Sequence, residues 1–209
     1  MSPRPRATSD ADIIGATVRI VSRVGPHLTL ADVAKEAGVS PATLVQRFGS
    51  KRGLLLACAA QAPASLPGEF ARIRAAHRSP LAAVRGVADC MAAMIETPEA
   101  FANSLAFLQM DLVDADFQHH AAAHSRGMLG ELTRLLDEAV SAGELRKTNT
   151  RLLARAIQAV ISGALLQWAI DRDGAVIERL REDLDTVLRP RITGARRRPH
   201  RIRRQTRRS

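Results

Sequence analysis

The chain has 209 residues and a net charge of +10, with 46% hydrophobic residues, 3% aromatic residues and no tyrosine. This hydrophobic content excludes an intrinsically disordered protein, and a core rich in alanine and leucine favours helices. Two cysteines, Cys58 and Cys90, are too few for a disulfide framework or a zinc site and indicate buried thiols in a reducing compartment.

The N-terminus and the hydrophobic segments both indicate a cytoplasmic protein with no membrane partner. The first ten residues include basic side chains, but no apolar run follows them, so we expect no signal peptide. No stretch approaches the ~20 apolar residues that cross a bilayer.

Charge is distributed unevenly along the chain. Residues 189–209 contain ten arginines and no acidic residue, residues 1–55 have a net charge of +4, and residues 56–188 have a net charge of −4. Basic ends suit a polyanionic partner. The arginine-rich tail has three interpretations: a solvated disordered extension, a segment that adds non-specific DNA affinity, or an artefact of the chosen gene boundary.

The first predicted elements are an arm and a helix. Residues 1–9 form a flexible basic arm, in which Arg4 and Arg6 either reach a phosphate or a minor groove or remain solvated. A first helix is predicted from Asp10 to about Val24, where a Gly-Pro pair ends it. Its apolar positions recur at steps of three and four residues and are Ile13, Ile14, Thr17, Ile20, Val21 and Val24.

Two short helices joined by a tight turn are predicted next. Thr29 caps the first of them, and Gly38 suits the left-handed backbone position that the turn requires. Ser40 caps the second helix, whose inward residues are Leu44 and Phe48. This order of elements is that of a helix-turn-helix.

Several residues of this segment stand at specific spacings. They are Thr29, Ala34, Gly38-Val39-Ser40, Leu44, Phe48 and Lys51, followed by Leu54-Leu55. The run resembles the N-terminal domain of TetR-family transcription regulators over about residues 10–56. Val45 departs from the family, which usually has at this position a tyrosine that often contacts a DNA phosphate. The resemblance implies a DNA-reading domain followed by a helical domain for ligand binding and dimerisation.

The second short helix is the one expected to enter the major groove of DNA. Helix starts favour phosphate, and Thr43, Gln46 and Arg47 are the outward residues that can meet bases or backbone. The residues predicted to contact DNA are Thr29, Ser40, Pro41, Ala42, Thr43, Val45, Gln46, Arg47 and Lys51. Thr29 and Ser40 also have the simpler role of helix caps, and Gln46 and Arg47 that of a solvated helix face.

The remainder of the chain is predicted to be helical. A fourth helix spans residues 51–62, Pro63 and Pro67 give a kink or loop, and a further helix with Phe70 and Ile73 follows. Later helices are predicted at about 80–95, from Thr97-Pro98 onward, and at about 114–141, 150–170 and 175–188. No segment shows sustained two-residue alternation, so we expect no sheet.

The segment 150–188 is the predicted dimer interface. Its first helix carries an apolar stripe broader than a single core contact needs, and its second helix adds another. The residues assigned to the interface are Leu153, Ile157, Val160, Ile161, Ala164, Leu165, Ile177, Leu180 and Leu184. By resemblance to the family, the two helices form a four-helix interface with their symmetry mates; the alternative is an intramolecular core.

The middle helices are predicted to enclose an effector cavity lined by adaptable or bulky side chains. The candidates are Met91, Met94, Phe101, Phe107, Met110, Phe117, His120, His124, Met128 and Trp168. Ordinary core packing is the alternative for each of them. The spacing of His120 and His124 also suits a metal ion, but no metal or catalytic motif accompanies them, so no metal, cofactor or catalytic residue is predicted.

The sequence thus predicts an all-α protein with a basic arm (1–9), a helix-turn-helix DNA-binding domain (10–55), a larger ligand-binding and dimerisation domain (56–188) and a disordered Arg-rich tail (189–209). The resemblance implies a homodimeric regulator, foremost a repressor, that binds a palindromic double-stranded operator and is released by a small-molecule effector. An activator of the same family is one alternative. An architectural protein acting through the tail and an enzyme with a histidine-based site are the rivals from other classes.

Overall fold

The computed structural model describes residues 8–95 and 97–194, and its architecture within them is all-α, as predicted. The helices are α1 (Asp10–Val24), α2 (Leu30–Ala37), α3 (Pro41–Phe48), α4 (Lys51–Ala76), α5 (Pro80–Met94), α6 (Pro98–Val113), α7 (Ala115–Ser141), α8 (Thr150–Asp171) and α9 (Val176–Leu188). The bounds of α5, α7, α8 and α9 lie within one residue of the predicted ones.

The described segments between the helices contain little regular structure. Short 3-10 turns lie at Gly25–His27 and Arg189–Arg191, and Leu145 forms an isolated antiparallel bridge with Ile192. The predictions for Arg4 and Arg6, and for the tail beyond residue 194, fall outside the described residues.

The first three helices begin at side-chain caps. Ser9 and Asp12 form a capping box at the start of α1, and Thr29 and Asp32 form another at the start of α2. Each box satisfies backbone N–H groups that a helix start leaves unpaired. Gly38 ends α2 at φ 68°, the left-handed conformation that the turn into α3 requires.

Helix α4 is continuous, so the loop predicted at its prolines as one of two alternatives is wrong. Pro63 and Pro67 lie inside a 26-residue helix and remove two bonds of its hydrogen-bond ladder on one side. Leu66 and Phe70 are buried, and Leu66 packs beside Gly127 of α7. This packing outweighs the lost hydrogen bonds, because helices in proteins are stabilised mainly by the faces they bury.

Helices α4 and α7 pack side by side and run parallel along the length of the molecule. At one end Arg52 of α4 pairs with Asp116 of α7, and at the other end Arg74 pairs with Glu138. Helix α7 has 27 residues, which corresponds to a length of about 40 Å. The molecule therefore has a proximal end at the helix-turn-helix and a distal end about 40 Å away, where α7 finishes and α9 ends.

Helix α8 differs from the expectation that no segment is long and apolar enough to cross a membrane. Its 22 residues, Thr150–Asp171, contain a window with a mean hydropathy of 1.4. One side of the helix packs into the chain's own core through Leu153, Ile157 and Ile161. A core helix of this kind has the same composition as a membrane span, so the hydropathy alone does not place the helix in a bilayer.

Gly53, in the first turn of α4, offers a test of how tightly α3 joins α4. A Cβ added there would overlap the carbonyl oxygen of Phe48, whereas a Cβ added at Gly68 of the same helix meets nothing within 4 Å. We expect Gly53→Ala to lower the free energy of unfolding by about 1–3 kcal/mol through steric strain. The matched Gly68→Ala should raise it by up to about 1 kcal/mol.

Urea denaturation of both variants measures these changes, and amide hydrogen exchange locates them. Faster exchange in α2 and α3 of Gly53→Ala is the expected pattern. Equal stability of the two alanine variants would contradict the close approach of α3 to α4.

Candidate nucleic-acid interface

Helix α3 presents most of the predicted DNA-contacting residues at the surface. Its outward residues are Pro41, Ala42, Val45, Gln46 and Arg47, and Thr43 is half-buried. Val45 is 48% exposed. The opposite side is anchored, because Leu44 is fully buried in the core of the first three helices. The helix is therefore fixed to the domain on one side and free to meet a partner on the other.

Thr29 and Ser40 serve as helix caps in the unbound protein. The Thr29 hydroxyl donates to Asp32 at 2.7 Å and accepts from its backbone N–H at 3.2 Å. The hydroxyl of Thr29, together with its backbone N–H, which donates to Asp32 Oδ2 at 2.8 Å, lowers the pKa of the Asp32 carboxyl. Ser40 Oγ accepts from the Thr43 N–H at 3.1 Å. Lys51 is the first residue of α4, so the predicted phosphate contacts sit at the starts of α2, α3 and α4.

Arg47 is held against the start of the chain, which sequence reasoning missed. Its guanidinium donates to the Thr8 carbonyl oxygen at 2.7 Å and to Asp10 Oδ1 at 3.2 Å. Both partners lie more than thirty-five residues away in sequence, so no local pattern could reveal the pair. A DNA contact through Nη1 of Arg47 competes with its hydrogen bonds to Thr8 and Asp10.

Two ion pairs join α2 to α1. Glu36 accepts hydrogen bonds from Arg19 at 2.9 Å and from Arg23 at 2.8 Å, both on α1. The same two contacts hold the pKa of the Glu36 carboxyl below its ordinary value. Because Arg19 and Arg23 are four residues apart, they lie on one face of α1 and clamp a single carboxylate.

The helix-turn-helix core is completed by residues from beyond α4. Phe107, Met110 and Phe117 pack with Leu54 and Leu55 in the core of the first three helices. The prediction placed these three larger side chains in an effector cavity; the structure uses them to join α6 and α7 to the DNA-binding unit. Their apolar character was readable from the sequence, but which core they enter depends on the tertiary fold.

Polar contacts reinforce this junction. Arg52 of α4 pairs with Asp114 at 2.8 Å and with Asp116 at 2.9 Å, and its guanidinium lies 5.6 Å from the centre of the Phe117 ring. The Arg52 hydrogen bonds lower the pKa of the Asp114 carboxyl. On the other side of the domain, the Asn103 amide of α6 donates to the Ser22 carbonyl oxygen at 3.0 Å.

The other effector candidates lie partly in the interior and partly at the surface. Phe101, Met91 and Met128 pack in or against the large core of the C-terminal helices. Trp168 is also buried, and its indole N–H donates to the Gly174 carbonyl oxygen at 3.1 Å. Met94 is 61% exposed, so it lies on the surface rather than in a cavity.

His120 and His124 lie on α7, and His124 lies near Asp111 of α6. Nδ1 of His124 is buried and has no hydrogen-bond partner among the described residues. Burial raises the pKa of the nearby Asp111 carboxyl, and the charge of His124 opposes this rise. Within residues 8–95 and 97–194, no three His, Cys, Asp or Glu side chains are grouped as metal ligands.

The predicted dimer residues turn inward. Their burial supports the alternative, an intramolecular core, for Leu153, Ile157, Ile161, Ala164, Leu165, Leu180 and Leu184. Val160 and Ile177 are only half-buried. The sequence pattern identified α8 and α9 as broadly apolar, but it did not establish which side of α8 faces the chain's own core.

The outward side of α8 is also apolar. Leu152, Leu166 and Ile170 are 59%, 41% and 64% exposed. Together with smaller residues they form a stripe directly opposite the buried face, which we call the α8 stripe: Leu152, Ala156, Ala159, Gly163, Leu166 and Ile170. These positions alternate in steps of four and three residues, the spacing of a helix–helix seam.

Two family models match the chain over consecutive segments. Residues 13–58 match the model described as bacterial regulatory proteins, tetR family, and residues 69–193 match the model described as BetI-type transcriptional repressor, C-terminal. The chain belongs to the TetR family of transcriptional regulators. Among curated proteins, none matches the sequence at a significant level.

Solved TetR-family structures share the fold along nearly their whole length. A TetR transcription regulator from Haloarcula marismortui has a TM-score of 0.72 at 17% identity, covering 88% of this chain and 97% of its own. The regulator SCO0520 from Streptomyces coelicolor has a TM-score of 0.66 at 23% identity, covering 88% and 99%. FadR from Bacillus subtilis in complex with stearoyl-CoA has a TM-score of 0.62 at 18% identity, covering 86% and 98%.

The ion pair between Arg52 of α4 and Asp114, just before α7, gives a pH-dependent prediction for this TetR-family regulator. Since Arg52 lowers the pKa of Asp114, their pairing stabilises the folded protein above the ordinary aspartate pKa and is lost as the pH falls through the lowered value. We expect Arg52→Gln to be less stable than the wild type at pH 7. The difference should shrink as the pH falls below about 4.

Urea denaturation at several pH values measures the effect. Arg72→Gln is the matched control, since Arg72 is an exposed arginine of the same helix with no ion pair among the described residues. A stability difference that stays constant from pH 7 to pH 3 would contradict the assigned pairing.

Proposed function

We propose that this TetR-family regulator represses transcription by binding a palindromic operator as a homodimer, and that a small-molecule effector releases it. The proposal rests on the orientation of α3. Leu44 anchors this helix in the core, and its outward side presents Ala42, Val45 and Gln46. The match of residues 69–193 to BetI-type transcriptional repressors supports repression over activation.

The chemistry of α3 suits the major groove. A helix fits that groove, where a glutamine side chain pairs with adenine and an apolar side chain contacts the thymine methyl group. Gln46 and Val45 take these two roles in the proposal. Lys51 and the starts of α2 and α3 contact phosphates, which position the protein without reading sequence. Arg47 also contacts a phosphate, which replaces Asp10 as its partner. The Arg47–Asp10 ion pair is partly exposed and stabilises the unbound protein by at most about 1 kcal/mol.

A single α3 covers too few base pairs for useful specificity, so the proposal requires a dimer. The α8 stripe supplies a self-complementary surface for a two-fold interface. Its centre consists of Ala156, Ala159 and Gly163, which let two helices approach closely, and larger side chains flank them. Two DNA-binding domains then read half-sites about 34–36 Å apart.

The effector is proposed to enter between α6 and α7. The unpartnered Nδ1 of His124 and the partly buried Asp111 lie there as polar anchors, among apolar neighbours that include Met128. The FadR structure was solved with stearoyl-CoA, a largely apolar ligand with a polar end. A molecule of that general character, apolar with one polar group, is the proposed effector class.

Release follows from the contacts of α6. This helix touches α1 through Asn103 and leads directly into Asp114, the partner of Arg52. A ligand that displaces α6 therefore biases the position of α1 and α4 together. Operator affinity falls because the population shifts to dimers whose two DNA-binding domains no longer match the half-site spacing.

Two substitutions on the DNA-binding domain separate base reading from phosphate contact. We expect Gln46→Ala to lower operator affinity by about 1–3 kcal/mol and to relax the preference at one position of each half-site. Lys51→Ala should weaken binding to all sequences alike and reduce the salt dependence. Titration against the operator and its single-base variants, at two salt concentrations, measures both effects.

The same titration can overturn the base-reading assignment. If Gln46→Ala binds the operator and every single-base variant with wild-type affinities, Gln46 does not face the bases. Transcription in vitro from a promoter that overlaps the site tests the sign of regulation. Less transcript with the wild type, restored in Lys51→Ala, is the expected result, whereas more transcript would identify an activator.

A charge introduced on the α8 stripe tests whether the stripe is the dimer interface. We expect Leu166→Glu to convert the dimer into monomers at micromolar concentration, because dimerisation would bury an unpaired carboxylate. Operator affinity should then fall at least tenfold. Leu112→Glu is the matched control, since Leu112 is an exposed leucine of α6. Sedimentation velocity measures the assembly state, and a Leu166→Glu protein that remains dimeric would exclude the α8 stripe as the interface.

A further inference from the structure

The three polar side chains of α3 differ in whether the protein itself already satisfies them. The Thr43 hydroxyl forms a hydrogen bond of 2.9 Å with Ser40 Oγ. The Arg47 guanidinium donates to two oxygens beside the start of α1. Gln46 is exposed, and its amide makes no hydrogen bond with another described residue. The Gln46 amide is therefore the polar group of α3 that retains its full hydrogen-bonding capacity for a partner.

The directions of the side chains around α3 agree with this division. Buried Leu44 defines the inward direction, and successive residues are about 100° apart around a helix axis. Ala42 and Gln46 therefore point about 160° away from Leu44, and Val45, which is 48% exposed, points about 100° away. Arg47 lies only about 60° from the inward direction, on the flank beside α1. The outward side of α3 thus presents two apolar side chains and one amide.

The major-groove edges of the bases determine which of them suits such a surface. Adenine has an acceptor, N7, beside a donor, the N6 amino group, so one glutamine amide can form two hydrogen bonds with it. Guanine presents two acceptors, which suit Arg or Lys, and cytosine presents a donor, which suits Asp or Glu. Thymine carries a C5 methyl group that apolar side chains contact. Helix α3 contains no Lys, Asp or Glu, and its one arginine lies on the flank.

The spacing of these residues along α3 sets how much DNA they cover. Ala42 and Gln46 are four residues apart, which corresponds to about 6 Å along the helix axis. Consecutive base pairs are separated by about 3.4 Å, so the outward side of α3 covers about two or three of them.

We propose that α3 reads adjacent A·T pairs in each half-site of the operator. Gln46 binds an adenine through N6 and N7, and Val45 and Ala42 contact the methyl groups of thymines. Arg47 contacts a phosphate and adds no preference for guanine. Because the C5 methyl group is the part of thymine that the protein contacts, uracil in the same base pair is a weaker partner. This inference rests on the proposed operator binding by α3 and specifies the bases that it recognises.

Base analogues test the recognised atoms one at a time. Selection from random duplex DNA first provides the half-site, and the positions under α3 are those whose preference changes in Gln46→Ala or Val45→Ala. One duplex then carries uracil in place of a thymine at these positions. Another carries 7-deazaadenine, in which a carbon atom replaces N7, in place of the adenine. Affinities of the full-length protein for each duplex and for the unmodified operator are compared.

We expect the wild type to lose about fourfold in affinity for each contacted thymine replaced by uracil, the effect of one buried methyl-sized group. Val45→Ala should lose most of this discrimination at one position. Val18→Ala is the matched control, because Val18 is a valine of α1 with a similar exposure of 46%, and it should discriminate as the wild type does. The 7-deazaadenine duplex should bind the wild type roughly two- to tenfold more weakly, and Gln46→Ala should not distinguish it from the operator.

Two further variants change the preference itself, which a loss of folding would not do. Gln46→Arg should prefer guanine to adenine at the position that Gln46 reads. Arg47→Gln should weaken binding to all sequences alike and leave the preferred bases unchanged, as expected for a phosphate contact.

The outcomes separate this inference from the proposed function. A two-fold symmetric site with G·C pairs at the positions under α3, or equal affinity for the thymine and uracil duplexes, would overturn the inference and leave operator binding intact. Loss of a guanine preference in Arg47→Gln would also overturn it. The absence of any symmetric site would contradict the proposed operator binding together with the inference.

Discussion

The contact between the start of α4 and the start of α7 determines how the rest of the molecule is arranged. Phe117 enters the core of the first three helices, and Arg52 holds Asp114 and Asp116 beside its ring. The DNA-binding helices therefore share a core with the C-terminal domain and are not suspended on a linker. Any displacement of α6 or α7 must be accommodated within that shared core, which is close-packed and does not deform freely.

This constraint gives the molecule two distinct ends. At the proximal end α3 faces outward, and the capping residues Thr29 and Ser40 set the helix starts that surround it. At the distal end, positive charge accumulates around Arg146 and Arg189. The parallel pair α4–α7 keeps the two ends of the molecule about 40 Å apart.

Much of the fold was predictable because it depends on local sequence patterns. The caps at Thr29 and Ser40, the left-handed Gly38 and the inward Leu44 depend on neighbours within a few residues, and the structure has them as predicted. The family resemblance rested on the same local features, and the family models agree with it.

What the sequence did not reveal depends on distant partners. The pairing of Arg47 with Asp10, and the entry of Phe117 into the DNA-binding core, each join segments far apart in the chain. Helix α8 is apolar on both sides, so its pattern alone could not identify the inward side. The prolines of α4 predicted a kink or loop, yet the burial of Leu66 and Phe70 against the rest of the core keeps the segment one continuous helix.

Selection of bound sequences from random double-stranded DNA tests the central claim most directly, because it assumes no operator. If a dimer reads DNA through two copies of α3, the enriched sequences contain a two-fold symmetric site whose half-sites are centred about 34–36 Å apart. Enrichment of an asymmetric site, or no enrichment beyond salt-sensitive binding to all sequences, would contradict the account.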